Sequence, residues 1–238
     1  MTKNLKIPKT VLAVFAHPDD MDFSSSGTIA KWAKRGAFIT YLVCTDGSKG
    51  SDDPAMTPRK LSLIRKKEQI KAAKILGVQD VIFLKHKDGE LVVDMKLKED
   101  ISKVIRQKKP DVVITLDPTF LYSTKRGFIN HSDHRAAGQA AIDAVFPLAR
   151  DRLNFPHHEK AGLASHKTKT LLLVAFEGAE HFEDITSTFA AKLKTLKVHA
   201  SQVLSNAEFE KRIRSHSRAL GKKAGFRYAE GFKRIELS

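Results

Sequence analysis

Cysteine is almost missing: Cys44 stands alone among 238 residues, so no disulfide can close within the chain and a packed core must hold the fold. A single thiol fits a reducing compartment, and a cytoplasmic protein is expected. No apolar run approaches the ~18 residues of a membrane span. Residues 11–16, after a lysine-bearing N-terminus, are too short for a signal-peptide core. No Pro/Gly/Ser-rich linker, internal repeat or low-complexity tract divides the chain, so one domain over 1–238 is expected. Acidic charge is also short, with 27 Asp plus Glu against 42 Lys plus Arg, a net charge of +15. Such a field favours anionic partners. The basic residues are nevertheless scattered, and the densest stretch, 211–234, alternates Lys and Arg with apolar residues at helical spacing, as on a solvated helix face.

What is present is an alternation. Residues 11–16 (VLAVFA), 38–44 (FITYLVC), 81–84, 112–116 (VVITL) and 171–176 (LLLVAF) are short, apolar and rich in β-branched residues, as strands of a doubly covered parallel sheet are. Between them lie helical patterns at 26–35, 58–76, 97–108 and 134–150, followed by 186–203 and 207–223. The second opens with Thr57 as N-cap and Pro58 as first residue and closes at Gly77. Asp133 is placed to cap the fourth. The order predicts a Rossmann-like α/β fold, three layers around a mostly parallel central sheet. In such sheets ligands bind beyond the carboxyl ends of the strands, at the segments that begin His17, Thr45, Lys85, Asp117 and Glu177.

The segment after the first strand lacks the G-x-G-x-x-G loop of a dinucleotide-binding protein and reads His17-Pro18-Asp19-Asp20-Met21-Asp22 instead. Three carboxylates within four positions repel one another unless positive charge lies close by, and a divalent cation supplies it. The alternative is a turn of hydrogen-bonded Asp side chains capping the next helix. A second cluster, Asn130-His131-Ser132-Asp133-His134, opens the alanine-rich helix after a loop of about fourteen residues, long enough to suspect a function. Both clusters are expected at one sheet edge. Two histidines and a carboxylate with an open position form a catalytic zinc site, where bound water is acidified and a carbonyl polarised. An adjacent aspartate outside the coordination shell can then take the proton.

With Ala16-His17-Pro18-Asp19-Asp20 and His131-Ser132-Asp133-His134, the chain resembles the PIG-L/LmbE-like N-acetylglucosaminyl deacetylases, over most of its length. Supporting segments include Arg65-x-x-Glu68, Asp88-Gly89, Lys197-x-His199-x-Ser201-Gln202 and Ala229-Glu230-Gly231-Phe232. The resemblance implies zinc, with iron(II) or cobalt able to use the same ligands, held by His17, Asp20 and His134. It implies Asp19 as general base and then acid, His131 as a stabiliser of the oxyanion, and Asp133 as the group that orients a histidine. Arg65, Asp88 and His199 are implied substrate contacts. Met21 stands where the family carries Glu, so any contact of that Glu is missing or comes from Asp22. Ile129 stands where some members carry Tyr, with Tyr122 in the same loop as a substitute.

The implied reaction is release of acetate from an N-acetyl sugar or its conjugate, the substrate anionic or lipid-linked if the positive field recruits it. Cleavage of a thiol conjugate is the alternative within the family. Specific nucleic-acid binding lacks a recognition helix or an aromatic-studded basic strand. Association of copies through outer helices is a further expectation. His86, His157, His158, His166, His181 and His216 carry no motif and are expected in surface or loop positions; Cys44 is expected buried in its strand, and Arg65 with Glu68 suits a plain helix ion pair.

Overall fold

The computed structural model describes residues 5–204 and 206–238. The first strand, β1 (Thr10–Phe15), alternates its side chains between two cores. Leu12 and Val14 join one core with Leu97, Ile101 and Ala137, while Val11, Ala13 and Phe15 join another with Ile29, Trp32 and Leu76. This period of two, apolar on both sides, makes β1 a central strand of a three-layer sandwich. Its helices are α1 (Asp20–Ala33) and α2 (Pro58–Leu76) on one face, α3 (Met95–Lys108) and α4 (Ser132–Asp143) on the other.

The remaining strands of the sheet are β2 (Phe38–Thr45), β3 (Asp80–His86), β4 (Val112–Leu116), β7 (Thr170–Val174), β8 (His181–Asp184) and β9 (Ala229–Glu236), in the order β3-β2-β1-β4-β7-β9-β8. β3, β2, β1, β4 and β7 are parallel; β9 runs antiparallel to both β7 and β8. A separate hairpin, β5 (Tyr122–Ser123) and β6 (Phe128–Ile129), stands in the loop after β4. The chain leaves β1 toward β2 and returns to its other side as β4, so a switch in strand order lies between β1 and β4, where open α/β sheets form their ligand crevice.

Helix α2 has the bounds the sequence predicts: Thr57 Oγ1 accepts from the Lys60 amide, and Gly77 closes it at φ 79°. Other elements differ, each for a physical reason. Helix α1 starts six residues before the expected 26, because the hydroxyls of Ser24, Ser25 and Ser26 bond back to the carbonyls of Asp20, Met21 and Asp22 instead of breaking the helix. The fourth helix is capped by His131, not Asp133, and ends at Asp143, before a π turn, Ala144–Leu148, that contains Pro147. The helix expected at 186–203 is α6 (Phe189–Leu196). The basic stretch 211–234 is not one helix face: α7 (Ala207–Ala224) stops at Gly225, φ 77°, and the rest enters β9, where Ala229 to Phe232 are buried. Among the described residues no helix is long and apolar enough to cross a membrane.

Candidate active site

Where β1 ends the chain turns abruptly. Asp19 adopts φ 96°, a conformation costly for a residue with a Cβ, and its amide is fixed by Gln69 Oε1 at 2.7 Å. Its carbonyl accepts from the amides of Asp22 and Phe23 and so starts α1, leaving Asp20 as the first helical residue. The Asp20 carboxylate folds back to accept from the His17 amide at 2.8 Å. Gly47 packs on this turn: a Cβ there would lie 2.8 Å from Pro18 and 3.1 Å from the Arg65 guanidinium.

The second segment arrives from β4. Helix α4 is capped by its own histidine, for His131 Nδ1 accepts from the Asp133 amide at 3.0 Å. One turn past His134, Gly138 lets α4 press onto the end of β4; a Cβ there would lie 2.3 Å from the Leu116 carbonyl oxygen. Close approach thus carries the start of α4 to the end of β1.

The His17 ring centroid lies 5.2 Å from that of His134 and 4.7 Å from that of His131. Donor atoms of His17, Asp20 and His134 all lie within 4.8 Å of one another. The hydrogen bonds divide the ring nitrogens between two tasks. His17 Nε2 is 3.0 Å from Asp88 Oδ1 and 3.2 Å from Asp133 Oδ2, so it donates there, and Nδ1 faces Asp20 at 3.4 Å. His134 Nδ1 donates to Asn130 Oδ1 at 3.2 Å, and Nε2 faces Asp20 Oδ1 at 3.1 Å. Two imidazoles backed by oxygen acceptors, their free nitrogens turned to a shared carboxylate, are what a borderline divalent cation requires. His17, Asp88 and His131 form a second such group around the other His17 nitrogen.

The electrostatics ask for positive charge here. Burial lowers the His17 pKa, but Asp20, Asp133 and Asp88 outweigh it and raise it to about 12. Burial would raise Asp20; His134 and His17 instead hold it well below the usual carboxylate range. Asp88, likewise raised by burial, is brought down to about 2 by His17 and the Lys49 amide. Asp19 goes the other way: burial and the Asp20 charge lift it to about 7, against the pull of Arg65. His131 is lowered, by burial and by His17, and stays neutral at neutral pH.

The residues implied as substrate contacts lie beneath this cluster. Arg65 is 5% exposed; its Nη2 donates to the Pro18 carbonyl and to Asp19 Oδ1 at 3.3 Å, and its Nη1 to the Gly47 carbonyl. It forms no pair with Glu68, whose carboxylate accepts from Ser201. His199, 1% exposed, bonds Asp22 Oδ2 at 2.7 Å. Asp88 is buried between His17 and Arg65. Asp22 binds Gln69, His199 and Tyr41, while Met21 is core. Sequence reasoning missed Gln69, which stands four residues from Arg65 on the same face of α2, and gave no role to Asn130, which lies in the recognised cluster just before α4. Tyr122 and Ile129 are exposed cross-strand partners in the hairpin. Cys44 is buried in β2, as expected. His158 and His181 depart from the expected surface or loop placement, for both are buried, His181 within β8 against Glu183 and His158 against Glu99. From Asp20 and His134 a cavity of about 430 Å³ opens between α1, the ends of β4, β7 and β9, and α7, with Phe176, Arg126 and Arg212 among its walls.

A Rossmann-like sheet with a His/Asp cluster at its carboxyl edge defines an enzyme site, and comparison with known proteins specifies the class. The profile of the PIG-L family, GlcNAc-PI de-N-acetylase, matches residues 12–145. The diacetylchitobiose deacetylase of Thermococcus kodakarensis is 33% identical over 228 residues, covering 94% of this chain and 82% of that one. A probable N-acetyl-α-D-glucosaminyl L-malate deacetylase of Bacillus anthracis is 29% identical, covering 83% of each. Among solved structures, the N,N'-diacetylchitobiose deacetylase of Pyrococcus horikoshii superposes with a TM-score of 0.89 at 31% identity, over 96% of this chain and 84% of that one. The protein is therefore a hydrolase of the N-deacetylase class. It belongs to the PIG-L family.

Proposed function

We propose that the chain hydrolyses the acetamide of an N-acetylglucosamine-type sugar or sugar conjugate, with zinc held by His17 Nδ1, His134 Nε2 and Asp20. The observation that carries this reading is the division of ring nitrogens: Asp133 and Asp88 hold one side of His17 and Asn130 one side of His134, so both free nitrogens turn to Asp20. A divalent cation in this cradle supplies Lewis acidity, lowering the pKa of water and polarising the acetyl carbonyl.

The chain's own residues do the rest. Asp19, lifted to about 7, is ionised often enough at neutral pH to take a proton from the attacking water, and then protonated to hand it to the leaving amine. Arg65 and Gln69 hold its carboxylate and its strained backbone in place. His131, its Nδ1 occupied by the Asp133 amide, carries its proton on Nε2 and donates to the oxyanion of the tetrahedral intermediate. Asp133, which also accepts from the Gly89 amide at 2.7 Å, fixes the His17 tautomer. Arg65, Asp88 and His199 act as positioning residues beneath the site.

The cavity beside Asp20 and His134 takes the sugar, and its wall, apolar with Arg126 and Arg212, suits an aglycone that is anionic, apolar or both. Acetate release from a panel of N-acetyl sugars, by metal-depleted and zinc-reconstituted protein, tests the proposal. Turnover that appears only with zinc, on GlcNAc-type substrates, is expected; equal turnover without metal, or none on any N-acetyl sugar, defeats it.

A further inference from the structure

A second group of donors lies outside this site. Glu99 is on α3; His157 and His158 are on a short helix, α5 (Pro156–Lys160). Both imidazole Nε2 atoms approach one carboxylate oxygen, Glu99 Oε1, His157 at 2.6 Å and His158 at 3.3 Å. A donor atom from each of the three lies within 4.8 Å of the other two. The rings meet edge to face, 76° between planes and 4.7 Å between centroids.

The arrangement is built from below. Arg106, two helical turns along α3 from Glu99 and 1% exposed, gathers the loop before α5: it donates to the carbonyls of Ala149, Leu148, Asp151 and Asn154. Phe155 then takes φ 52° and Pro156 opens α5, turning His157 and His158 back onto α3. His158 is 3% exposed, so its ring is held against α3 rather than free in solvent. The Arg106 charge opposes a cation, but it is shared among carbonyl oxygens.

We infer that Glu99, His157 and His158 form a second divalent-metal site, of the imidazole-preferring class that takes zinc, nickel or copper, with water filling the open positions. Bound metal clips α5 to α3 and so ties down the chain between α4 and β7. This inference does not depend on the reading of the active site.

The test uses the full chain and zinc alone. In a His17→Ala/His134→Ala background, dialysed against zinc and passed through gel filtration, about one equivalent retained per chain is expected. Adding Glu99→Gln and His157→Ala should abolish retention and the zinc-induced rise in Tm. Absence of zinc in the first variant, or unchanged retention in the second, overturns the site. Should the double-alanine background fail to fold, the wild type is compared with Glu99→Gln/His157→Ala: bound zinc must fall by one equivalent, and an equal content overturns the inference.

Discussion

Asp19→Asn is the most discriminating substitution. Asparagine keeps the shape of the side chain and an oxygen for Arg65, so the turn, held also by the bond from the Asp19 amide to Gln69, stays folded. Metal stays too, since the Asp19 carboxylate is not one of the donors that meet at Asp20. What disappears is a titrating group whose pKa of about 7 lets it serve as base and then as acid at neutral pH. Loss of general acid–base catalysis costs about 10²–10⁴-fold in rate, or about 3–5 kcal/mol of transition-state stabilisation. The assay pairs kcat for acetate release with zinc content by mass spectrometry on the same preparation. A fall in that range with zinc retained is expected. Zinc-loaded Asp19→Asn within about tenfold of wild type would show that another group moves the proton.

Three further outcomes follow from neighbouring contacts. Arg65 holds the Asp19 pKa down, and a base works in its ionised form, so Arg65→Gln should move the acidic limb of the kcat/KM profile to higher pH; an unmoved limb would detach Arg65 from Asp19. Gly138→Ala places a methyl 2.3 Å from the Leu116 carbonyl oxygen, so α4 must shift; both Tm and zinc affinity should fall, and a variant that loses neither would show that the close approach does not position His134. Burial raises the Glu183 carboxyl, but His181 and Lys31 outweigh it and hold it below its ordinary value, so its stabilisation is present above the unfolded pKa and is lost as pH falls through the folded one. Glu183→Gln should therefore cost about 3 kcal/mol at neutral pH, with the difference narrowing in acid; a difference that grows in acid would reverse the sign of this argument.

The site was legible where chemistry is local in sequence. His17, Asp19 and Asp20 share one turn, His131, Asp133 and His134 another, and the strand-end rule brings both to one edge before any coordinate is known. Helix α2 was readable because its cap, its first proline and its terminal glycine all agree. The groups that support these residues were harder to read. Gln69 and Asn130 carry no charge and act only through hydrogen bonds, and Arg65 looked like half of a surface pair until its partner proved to be Asp19, 46 positions away. The end of the stretch 211–234 differs from a solvated helix face because β9 buries Glu230, whose carboxylate is matched by Lys192, Thr28 and the Gly27 amide, so a polar residue there is no sign of solvent. His131 rather than Asp133 caps α4 because the Asp133 carboxylate is committed to His17 and the Gly89 amide.

Anomalous diffraction at the zinc edge, from crystals of the zinc-loaded protein, reaches the central claim most directly. Besides any peak at Glu99, His157 and His158, one is expected about 2.0–2.2 Å from His17 Nδ1, His134 Nε2 and an Asp20 carboxylate oxygen. A peak on the Nε2 side of His17, between Asp88 and His131, or no peak at either position, would contradict the account.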